Sequence, residues 1–351
     1  MEDLLALMVR KGGSDLHISA GSPPRIRVDG CLVPVDTPPL VPEDTRRLAT
    51  SVLTQEQIAK LDRELELDCS FELAGQGRFR ANVFYQRGSV ACVLRLVPSR
   101  IMTFDELGLP LEVCERLCGL RSGLVLVCGA TGSGKSTSLA SMIDHINRNR
   151  QGHIVTIEDP IEFSHNSQSC LVTQREVGGD SKAFHNALRS VLRQDPDVVL
   201  VGELRDLETI EAALTLAETG HLTFGTLHTN DAVQTVNRIV DVFPSHQQAQ
   251  VLTQLSFSLE AVFCQQLLPK AEGRGRVMAA EVLLATPAVR ALVREGKSHQ
   301  IYSQMQTGGR IGMKTMTASL AEAVRKGQVR IQDAESVLSD PSEFLRLVRA
   351  A

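Results

Sequence analysis

Residues 129–137 read Gly129-Ala130-Thr131-Gly132-Ser133-Gly134-Lys135-Ser136-Thr137, which is a complete G-x-x-x-x-G-K-[ST] phosphate loop. The apolar run 124–128 before it predicts a short buried strand, and residues 138–143 after it continue as a helix. Glycines let backbone N–H groups turn toward phosphate oxygens, and a helix start adds unpaired donors. The sequence therefore predicts a nucleoside triphosphate site, with Lys135 at the β- and γ-phosphates and Ser136 as a Mg²⁺ ligand.

The composition indicates a folded protein whose 351 residues are enough for two domains, with 43% hydrophobic residues to fill their cores. The formal net charge of -4 gives no overall attraction to nucleic acid or to anionic lipid. Trp is absent and Tyr numbers only 2, so few side chains could stack on bases. No apolar run is long enough to span a bilayer. We therefore expect a cytoplasmic protein that does not bind nucleic acid.

The 8 cysteines show no C-x-x-C pair. Only Cys114 and Cys118 lie close in sequence, at the i, i+4 spacing of one helix face, and no second ligand pair stands nearby. This pattern predicts reduced, mostly buried thiols and no metal site formed by the cysteines.

The first hundred residues predict a small α+β domain with an antiparallel sheet, which we place at 1–98. A short amphipathic helix begins it, and strand patterns follow near 15–19, 25–28, 68–73, 77–86 and 90–97. Asp29-Gly30, directly after the strand pattern at 25–28, predicts a hairpin turn. Pro and Gly interrupt the pattern at 99–111, which predicts a linker.

From residue 112 to 351 predicted strands alternate with predicted helices, which is typical of an α/β fold with a mainly parallel sheet. The strands are expected at 124–128, 153–157, 197–201 and 222–227, and the helices near 135–148, 181–194, 206–219 and 231–240. Residues 246–268 and the region from about 286 to 351 read as mostly helical, with a strand near 277–284.

Two glutamates follow predicted strands directly. Glu158 ends the run 154–157, and Glu203 follows the run 198–201 after Gly202. In parallel sheets such exits are where a metal ligand and a residue that positions the attacking water are expected. At the rise of a strand, Asp197 lies about 20 Å from Glu203, which is too far for the two residues to bind the same metal ion. Glu203 is therefore the better candidate for Mg²⁺ or its water and Glu158 for the general base, although the reverse assignment stays open.

His228 directly follows the next predicted buried strand, 222–227. At that position a neutral imidazole could hydrogen bond to the γ-phosphate. His221, at the other end of that strand, is expected to be structural. Cationic groups must also neutralise the transferred phosphoryl. Arg78, Arg80 and Arg95, on strands of the first domain, are candidates to reach a nucleotide held by a neighbouring subunit, against the alternative of local salt bridges or solvent exposure.

These motifs together resemble the secretion ATPase superfamily, over essentially the whole chain. The matching stretches are the phosphate loop, the acidic box 156–162, the Walker B region 192–206 and the histidine box 220–230. Residues 288–295 are similar to the A-I-R-N-L-I-R-E signature of pilus retraction motors, with Ala291 in place of its Asn. The zinc-binding cysteine cluster of extension motors is missing, which favours retraction.

The resemblance implies a RecA-like core with a helical C-terminal region, preceded by a PAS-like N-terminal domain. It implies a homohexamer that hydrolyses ATP with Mg²⁺, with each nucleotide between the N-terminal domain of one subunit and the core of another. Glu158, Glu203 and His228 would then be catalytic, with Arg80 and Arg95 as fingers. The partners implied are the pilus platform protein at the inner membrane, where the chain would bind peripherally, and a paralogous retraction ATPase.

Three other functions compete with a retraction motor. One is an accessory retraction ATPase or another secretion motor, and a second is a nucleotide-binding adaptor that does not hydrolyse. The third is a nucleic-acid motor, which the negative net charge disfavours. The order of ATP firing, the direction of force and the effect of Ala291 do not follow from the sequence.

Overall fold

The computed structural model describes residues 1–28, 30–273, 275–338 and 340–349. The chain forms two compact units. The first unit comprises Met1–Arg100 with Glu162–Ser164, and the second comprises Ile101–Ile161 with His165–Ala351.

The first unit contains three helices and one six-stranded antiparallel sheet. Its strands are β1 Asp15–Ile18, β2 Arg25–Val28, β3 Cys31–Pro34, β4 Glu66–Leu73, β5 Gly77–Gln86 and β6 Ser89–Leu96. Its helices are α1 Glu2–Arg10, α2 Pro42–Thr50 and α3 Gln55–Glu64. The strand order is β3-β2-β1-β6-β5-β4, and alternate residues such as Phe79, Ala81 and Val83 of β5 fill the core.

The predicted strands of this unit are all present, but strand β3 and helices α2 and α3 were not predicted. Strand β3 is exposed along its length and ends in Pro34, so it lacks the alternation that marks a half-buried strand. Strands β2 and β3 do pair antiparallel, with Val28 opposite Cys31, although Asp29 of the predicted turn lies outside the described residues. Helix α3 begins with a capping box in which Thr54 and Gln57 bond reciprocally.

The second unit surrounds a seven-stranded sheet with helices. Its strands are β7 Gly123–Cys128, β8 His153–Glu158, β9 Leu171–Glu176, β10 Val198–Val201, β11 Leu222–Leu227, β12 Leu259–Pro269 and β13 Arg276–Leu284. Its helices are α4 Phe104–Leu107, α5 Leu111–Cys118, α6 Lys135–Asn149, α7 Phe184–Val191, α8 Leu207–Glu218, α9 Ala232–Asp241, α10 Ser245–Ser258, α11 Pro287–Arg294, α12 Ile301–Thr307, α13 Met316–Arg325, α14 Ile331–Glu335 and α15 Ser342–Arg349.

The sheet order is β13-β12-β7-β11-β10-β8-β9, and every neighbouring pair is parallel except β12 with β13. All residues of β7, β10 and β11 are buried, which explains why they read as continuous apolar runs rather than alternating ones. The predicted α/β fold with a mainly parallel sheet is confirmed. The carboxyl ends of the parallel strands consequently lie along one edge of this sheet.

The prediction that residues 246–268 are helical is wrong in its second half. Helix α10 ends at Ser258, and strand β12 begins at Leu259 and pairs with both β7 and β13. A short apolar run fits a buried strand and a buried helix equally well, so only the pairing partners decide between them. Strand β9, a half-buried edge strand with polar residues, was not predicted.

No helix among the described residues has the length and apolar character needed to cross a membrane. All 8 cysteines are free thiols, and six of them are buried. Burial raises the pKa of the Cys114 thiol to about 12 and that of Cys118 further still. The described residues contain no group of three or more His, Cys, Asp or Glu side chains arranged to hold a metal ion.

Glu322 of α13 gives a test of stability against pH. Its carboxylate pairs with Lys314 and, at 2.7 Å, with Lys326, and these hydrogen bonds, that of Lys314 first, lower its pKa from 4.5 to about 2. A lowered pKa means that the ionised group stabilises the fold above pH 4.5, and that this contribution is lost as the pH falls toward 2.

We expect Glu322→Gln to lower the free energy of unfolding at pH 7 by about 1 kcal/mol or less, because the group is partly exposed. Urea unfolding at several pH values should show this difference shrinking below pH 4.5. Glu211→Gln, at an exposed residue without an ion pair among the described residues, is the control. A pH-independent difference would contradict the assignment.

Candidate functional site

The phosphate loop joins the end of β7 to the start of α6. Gly129 has a φ of 139° and Gly134 a φ of 93°, both in a range of φ that residues with a side chain rarely adopt. A Cβ atom at Gly129 would lie 2.5 Å from the carbonyl oxygen of Gln265 in β12. The first glycine of the loop is therefore required by both its dihedral angle and its packing.

The polar groups of the loop are arranged for phosphate. Lys135 donates to the carbonyl oxygens of Gly129 at 2.7 Å and Ala130 at 3.1 Å, so its ammonium group lies within the loop. The Ser133 hydroxyl is buried and has no hydrogen-bond partner among the described residues. Ala130, Thr131 and Gly132 are exposed, and Ser136 and Thr137 are half-buried in the first turn of α6. The loop thus presents a glycine cradle, a cation and an unsatisfied hydroxyl together.

Glu203 and His228 meet at the carboxyl edge of the sheet. His228 Nε2 lies 3.1 Å from Glu203 Oε1, and Arg205 Nη2 lies 2.8 Å from Glu203 Oε2. Burial raises the pKa of Glu203, but the Arg205 hydrogen bond and the charges of Arg205, His228 and Lys135 outweigh it and hold the pKa below its ordinary value. Glu203 is therefore a carboxylate at neutral pH and lies within the electrostatic reach of the phosphate-loop lysine.

Glu158 ends strand β8, which neighbours β10. Its side chain is buried, with 8% of the residue exposed. Thr156 donates to Glu158 Oε1 at 2.7 Å, and the Gln174 amide donates to the same oxygen at 3.2 Å. The Gln174 carbonyl in turn accepts the His165 backbone N–H at 2.7 Å, which fixes its amide orientation. The Glu158 carboxylate is thus held in one orientation by neighbours on β8 and β9.

Asp197 and His221 lie just before the amino ends of β10 and β11, whereas Glu203 and His228 follow the carboxyl ends of the same strands. Asp197 accepts the His153 backbone N–H at 2.8 Å, at the start of β8. His221 Nδ1 lies 3.1 Å from the Leu216 carbonyl oxygen, just before β11. The His221 contact agrees with its expected structural role, and Asp197 precedes β10 whereas Glu203 follows it.

Two further residues support the loop and the Walker B segment. Gln265 of β12 is buried and donates to Ser138 of α6 at 2.8 Å, one turn after Lys135. Thr226 of β11 donates to the Gly202 carbonyl oxygen at 2.5 Å. These contacts fix the first turn of α6 and the backbone just before Glu203.

Arg80 and Arg95 belong to the first unit and lie directly opposite each other on β5 and β6. Arg95 donates to Asp15 at 2.7 Å, while Arg80 Nη1 lies 3.6 Å from Glu162 Oε1 in the same unit. Arg27 pairs with the other oxygen of Asp15 at 3.7 Å. The three arginines share one face of the sheet, because directly opposite residues of neighbouring strands point to the same side. The Arg95 side chain remains 64% exposed.

Four residues of the site have no role that the sequence alone predicts: Thr156, Gln174, Arg205 and Gln265. A local signal existed for Thr156, since residues i and i+2 of a strand share a face and Thr156 precedes Glu158 by two. The acidic Glu203 and basic Arg205 are also two residues apart. Gln174 and Gln265 lie on strands that were not predicted, so no signal pointed to them.

A family model described as type II/IV secretion system protein matches residues 1–336. The chain is 49% identical over 342 residues to the type IV pilus retractation ATPase PilT of Pseudomonas aeruginosa, covering 97% of this chain and 99% of that protein. It is 45% identical to the type IV pilus ATPase PilU of the same organism, covering 99% of this chain and 90% of PilU. Both similarities extend over nearly the full length of the chain.

Among solved structures, the chain is similar to the pilus retraction motor PilT with bound ADP. The TM-score is 0.91 at 51% identity, with 98% of each chain covered. This similarity includes the first unit as well as the second, so it concerns the whole fold and not the phosphate-loop core alone.

Thr156→Val tests whether the hydrogen bond from the Thr156 hydroxyl to Glu158 matters for ATP hydrolysis. The change keeps the side-chain volume but removes the hydroxyl that donates to Glu158. We expect kcat to fall by up to about 100-fold through misplacement of the carboxylate, with ADP affinity nearly unchanged.

Thr223→Val is the matched control, since Thr223 is also fully buried but lies near the amino end of β11. Steady-state ATP hydrolysis and ADP titration of both variants give the comparison. Equal rates in the two variants would exclude a role for the Thr156 hydroxyl.

Proposed function

Because the chain belongs to the type II/IV secretion system protein family, we propose that it is an ATPase motor that drives retraction of type IV pili. The observation that carries this proposal is the full-length similarity to the retraction motor PilT, in sequence and in structure. A second candidate is an accessory retraction ATPase, which the 45% identity to PilU favours.

The phosphate loop would bind the triphosphate. Its glycines open the backbone, the Ser133 hydroxyl supplies an unused donor, and Lys135 can exchange the carbonyl oxygens it now contacts for phosphate oxygens. The start of α6 at Lys135 adds the N–H donors and positive end of a helix. ATP binding at residues 129–137 thus follows from groups that are already in place.

The donor set also fits Mg²⁺, which prefers oxygen ligands and keeps several waters. Ser136 lies in the first turn of α6, and Glu203 is an ionised carboxylate near Lys135. We assign both residues to the metal, Glu203 partly through water. When bound, Mg²⁺ would neutralise charge on the β- and γ-phosphates.

Glu158 is the better general base, because its carboxylate is buried and oriented while Glu203 is engaged by Arg205 and His228. Its role would be to orient the attacking water and accept its proton. His228, beside Glu203, would report the state of the γ-phosphate by hydrogen bonding.

We assign residues 1–98 to a PAS-like domain, 99–111 to a linker and 112–351 to a RecA-like ATPase domain. We further propose a homohexamer in which Arg80 and Arg95 act on the nucleotide of a neighbouring subunit. The shared face of these arginines supports this, since it presents two cations from one surface. The proposed partners are the platform protein of the pilus at the inner membrane, which would hold the chain peripherally on the cytoplasmic side, and a paralogous retraction ATPase.

Gene deletion with complementation tests the function. We expect the deletion to leave surface pili that do not retract, and a Lys135→Ala gene to fail to restore retraction because the loop loses its cation. Lys182→Ala, at an exposed lysine of the second unit, should restore it. Imaging of labelled pili and ATPase assays of the purified proteins give the readout.

Unchanged retraction in the deletion strain would contradict the role of main motor. Retraction that is reduced but not lost in the deletion strain would point to the accessory motor instead. Near-zero ATP hydrolysis by both wild type and Lys135→Ala would favour an adaptor that does not hydrolyse.

Hexamers assembled from two different variants test whether Arg80 and Arg95 act on the nucleotide of a neighbouring subunit. Arg80→Ala and Arg95→Ala should each lower kcat by on the order of 10³-fold while leaving ATP binding intact. Mixing either variant with Glu158→Gln subunits should restore part of the activity, because some sites then combine an intact arginine with an intact glutamate. Arg47→Ala, at an exposed arginine of the same unit, is the control. No recovery in mixed rings would exclude action in trans.

A further inference from the structure

Glu281 is a buried carboxylate outside the phosphate-binding residues. It lies on β13, opposite Cys264 of β12, and is 2% exposed. Burial raises its pKa, and two backbone hydrogen bonds work against this rise. Burying a carboxylate costs free energy unless hydrogen bonds satisfy it. The groups that bond to Glu281 are therefore the guide to its role.

The two partners are the first residues of two different helices. Glu281 Oε1 accepts the Ala232 N–H of α9 at 2.8 Å, and Glu281 Oε2 accepts the Met316 N–H of α13 at 3.2 Å. N–H groups in the first turn of a helix have no partner within the helix, and the positive helix end favours an anion there. One carboxylate therefore joins the starts of α9 and α13.

Neither helix needs Glu281 for its own capping. Asp231 caps α9 by accepting the Gln234 N–H at 2.7 Å, and Thr315 caps α13 by accepting the Ala318 N–H at 3.2 Å. The Glu281 bonds are additional to these caps. Their distinctive effect is to connect segments 84 residues apart in sequence (316 minus 232), which a local cap cannot do.

At one end of this connection is the turn after His228. Residues 228–231 link β11 directly to α9, and the Thr229 hydroxyl lies 2.7 Å from that of Thr235 in α9. His228 itself lies beside Glu203. A shift of this turn would therefore move the start of α9.

At the other end α13 is firmly attached to β13. Val282 and Lys314 exchange two backbone hydrogen bonds of 2.7 and 2.9 Å, and the Ala280 N–H donates to Ser319 at 3.0 Å. Helix α13 packs in turn on the C-terminal helices through a separate apolar cluster that includes Leu320 and Phe344.

We propose that Glu281 is a positioning residue that couples the turn after His228 to the C-terminal helices, so that the nucleotide state changes α9 and α13 together. This inference rests on the proposed contact of His228 with the nucleotide. The physical reason is that α9 cannot move away alone without leaving a buried carboxylate oxygen unsatisfied.

Proline substitutions can remove each bond singly. Ala232 and Met316 are the first residues of their helices, where proline fits because its missing N–H is not needed within the helix. The preceding residues, Asp231 and Thr315, have the extended backbone that a following proline requires, with ψ of 165° and 155°. Ala232→Pro cuts the α9 bond, and Met316→Pro cuts the α13 bond.

Ala232→Val and Met316→Ala are matched controls, because they alter the same side chains but keep the N–H donors. The measurement is hydrogen exchange of residues 316–325 in the purified full-length protein, with and without ADP. We expect ADP to change this exchange by on the order of tenfold in wild type and both controls, and to leave it unchanged in both proline variants. ADP affinity, measured in parallel, should remain within about threefold of wild type in all of them.

A wild-type α13 that does not respond to bound ADP would overturn the coupling, and so would proline variants that respond like the controls. Absence of ADP binding by wild type would instead refute the proposed function together with this inference. Should a proline variant fail to fold, Glu281→Gln gives the same test, because it keeps the side-chain size and leaves only one acceptor oxygen for two N–H groups.

Discussion

The candidate site in the second unit depends on one geometric constraint, the parallel pairing of β7, β11, β10 and β8. In parallel pairs the strands end on the same side, so the residues that follow them meet at one edge. Cys128 pairs with Leu227, and Val201 pairs with both Gly225 and Ile157. This register brings together four segments from distant parts of the chain: the phosphate loop, Glu158, Glu203 and His228.

The two glutamates at this edge have different surroundings. Glu203 is held by Arg205 on one oxygen and lies beside His228 on the other, and its pKa is lowered as a result. Glu158 is more buried and is oriented by Thr156 and Gln174. A metal ligand benefits from a firmly ionised carboxylate, whereas a residue that positions water benefits from fixed orientation. The contacts therefore support the assignment of roles that strand position alone left open.

Local sequence patterns were sufficient for most of the fold, because the phosphate loop and the buried runs of β7, β10 and β11 are continuous in sequence. They were insufficient where long-range pairing decides the structure. Strand β12 resembled a helix until its pairing with β7 and β13 was known. Gln174 lies on the unpredicted edge strand β9, and Glu281 joins residues 232 and 316. No local pattern marks such contacts, since each depends on where another segment of the chain lies.

Helix α11 carries the stretch that is similar to the retraction-motor signature, in which Ala291 stands where the signature has Asn. The side chain that anchors this helix is that of the neighbouring residue, Arg290. Arg290 donates to the carbonyl oxygens of Ser256 and Phe257 at the end of α10, and to Glu260 at 2.7 Å. Glu260 lies against Gly123 at the start of β7, where a Cβ atom would be 2.4 Å from Glu260 Cγ. Helix α11 is thus connected to the strand that leads into the phosphate loop. These anchoring contacts are made by the Arg290 side chain and do not involve that of Ala291.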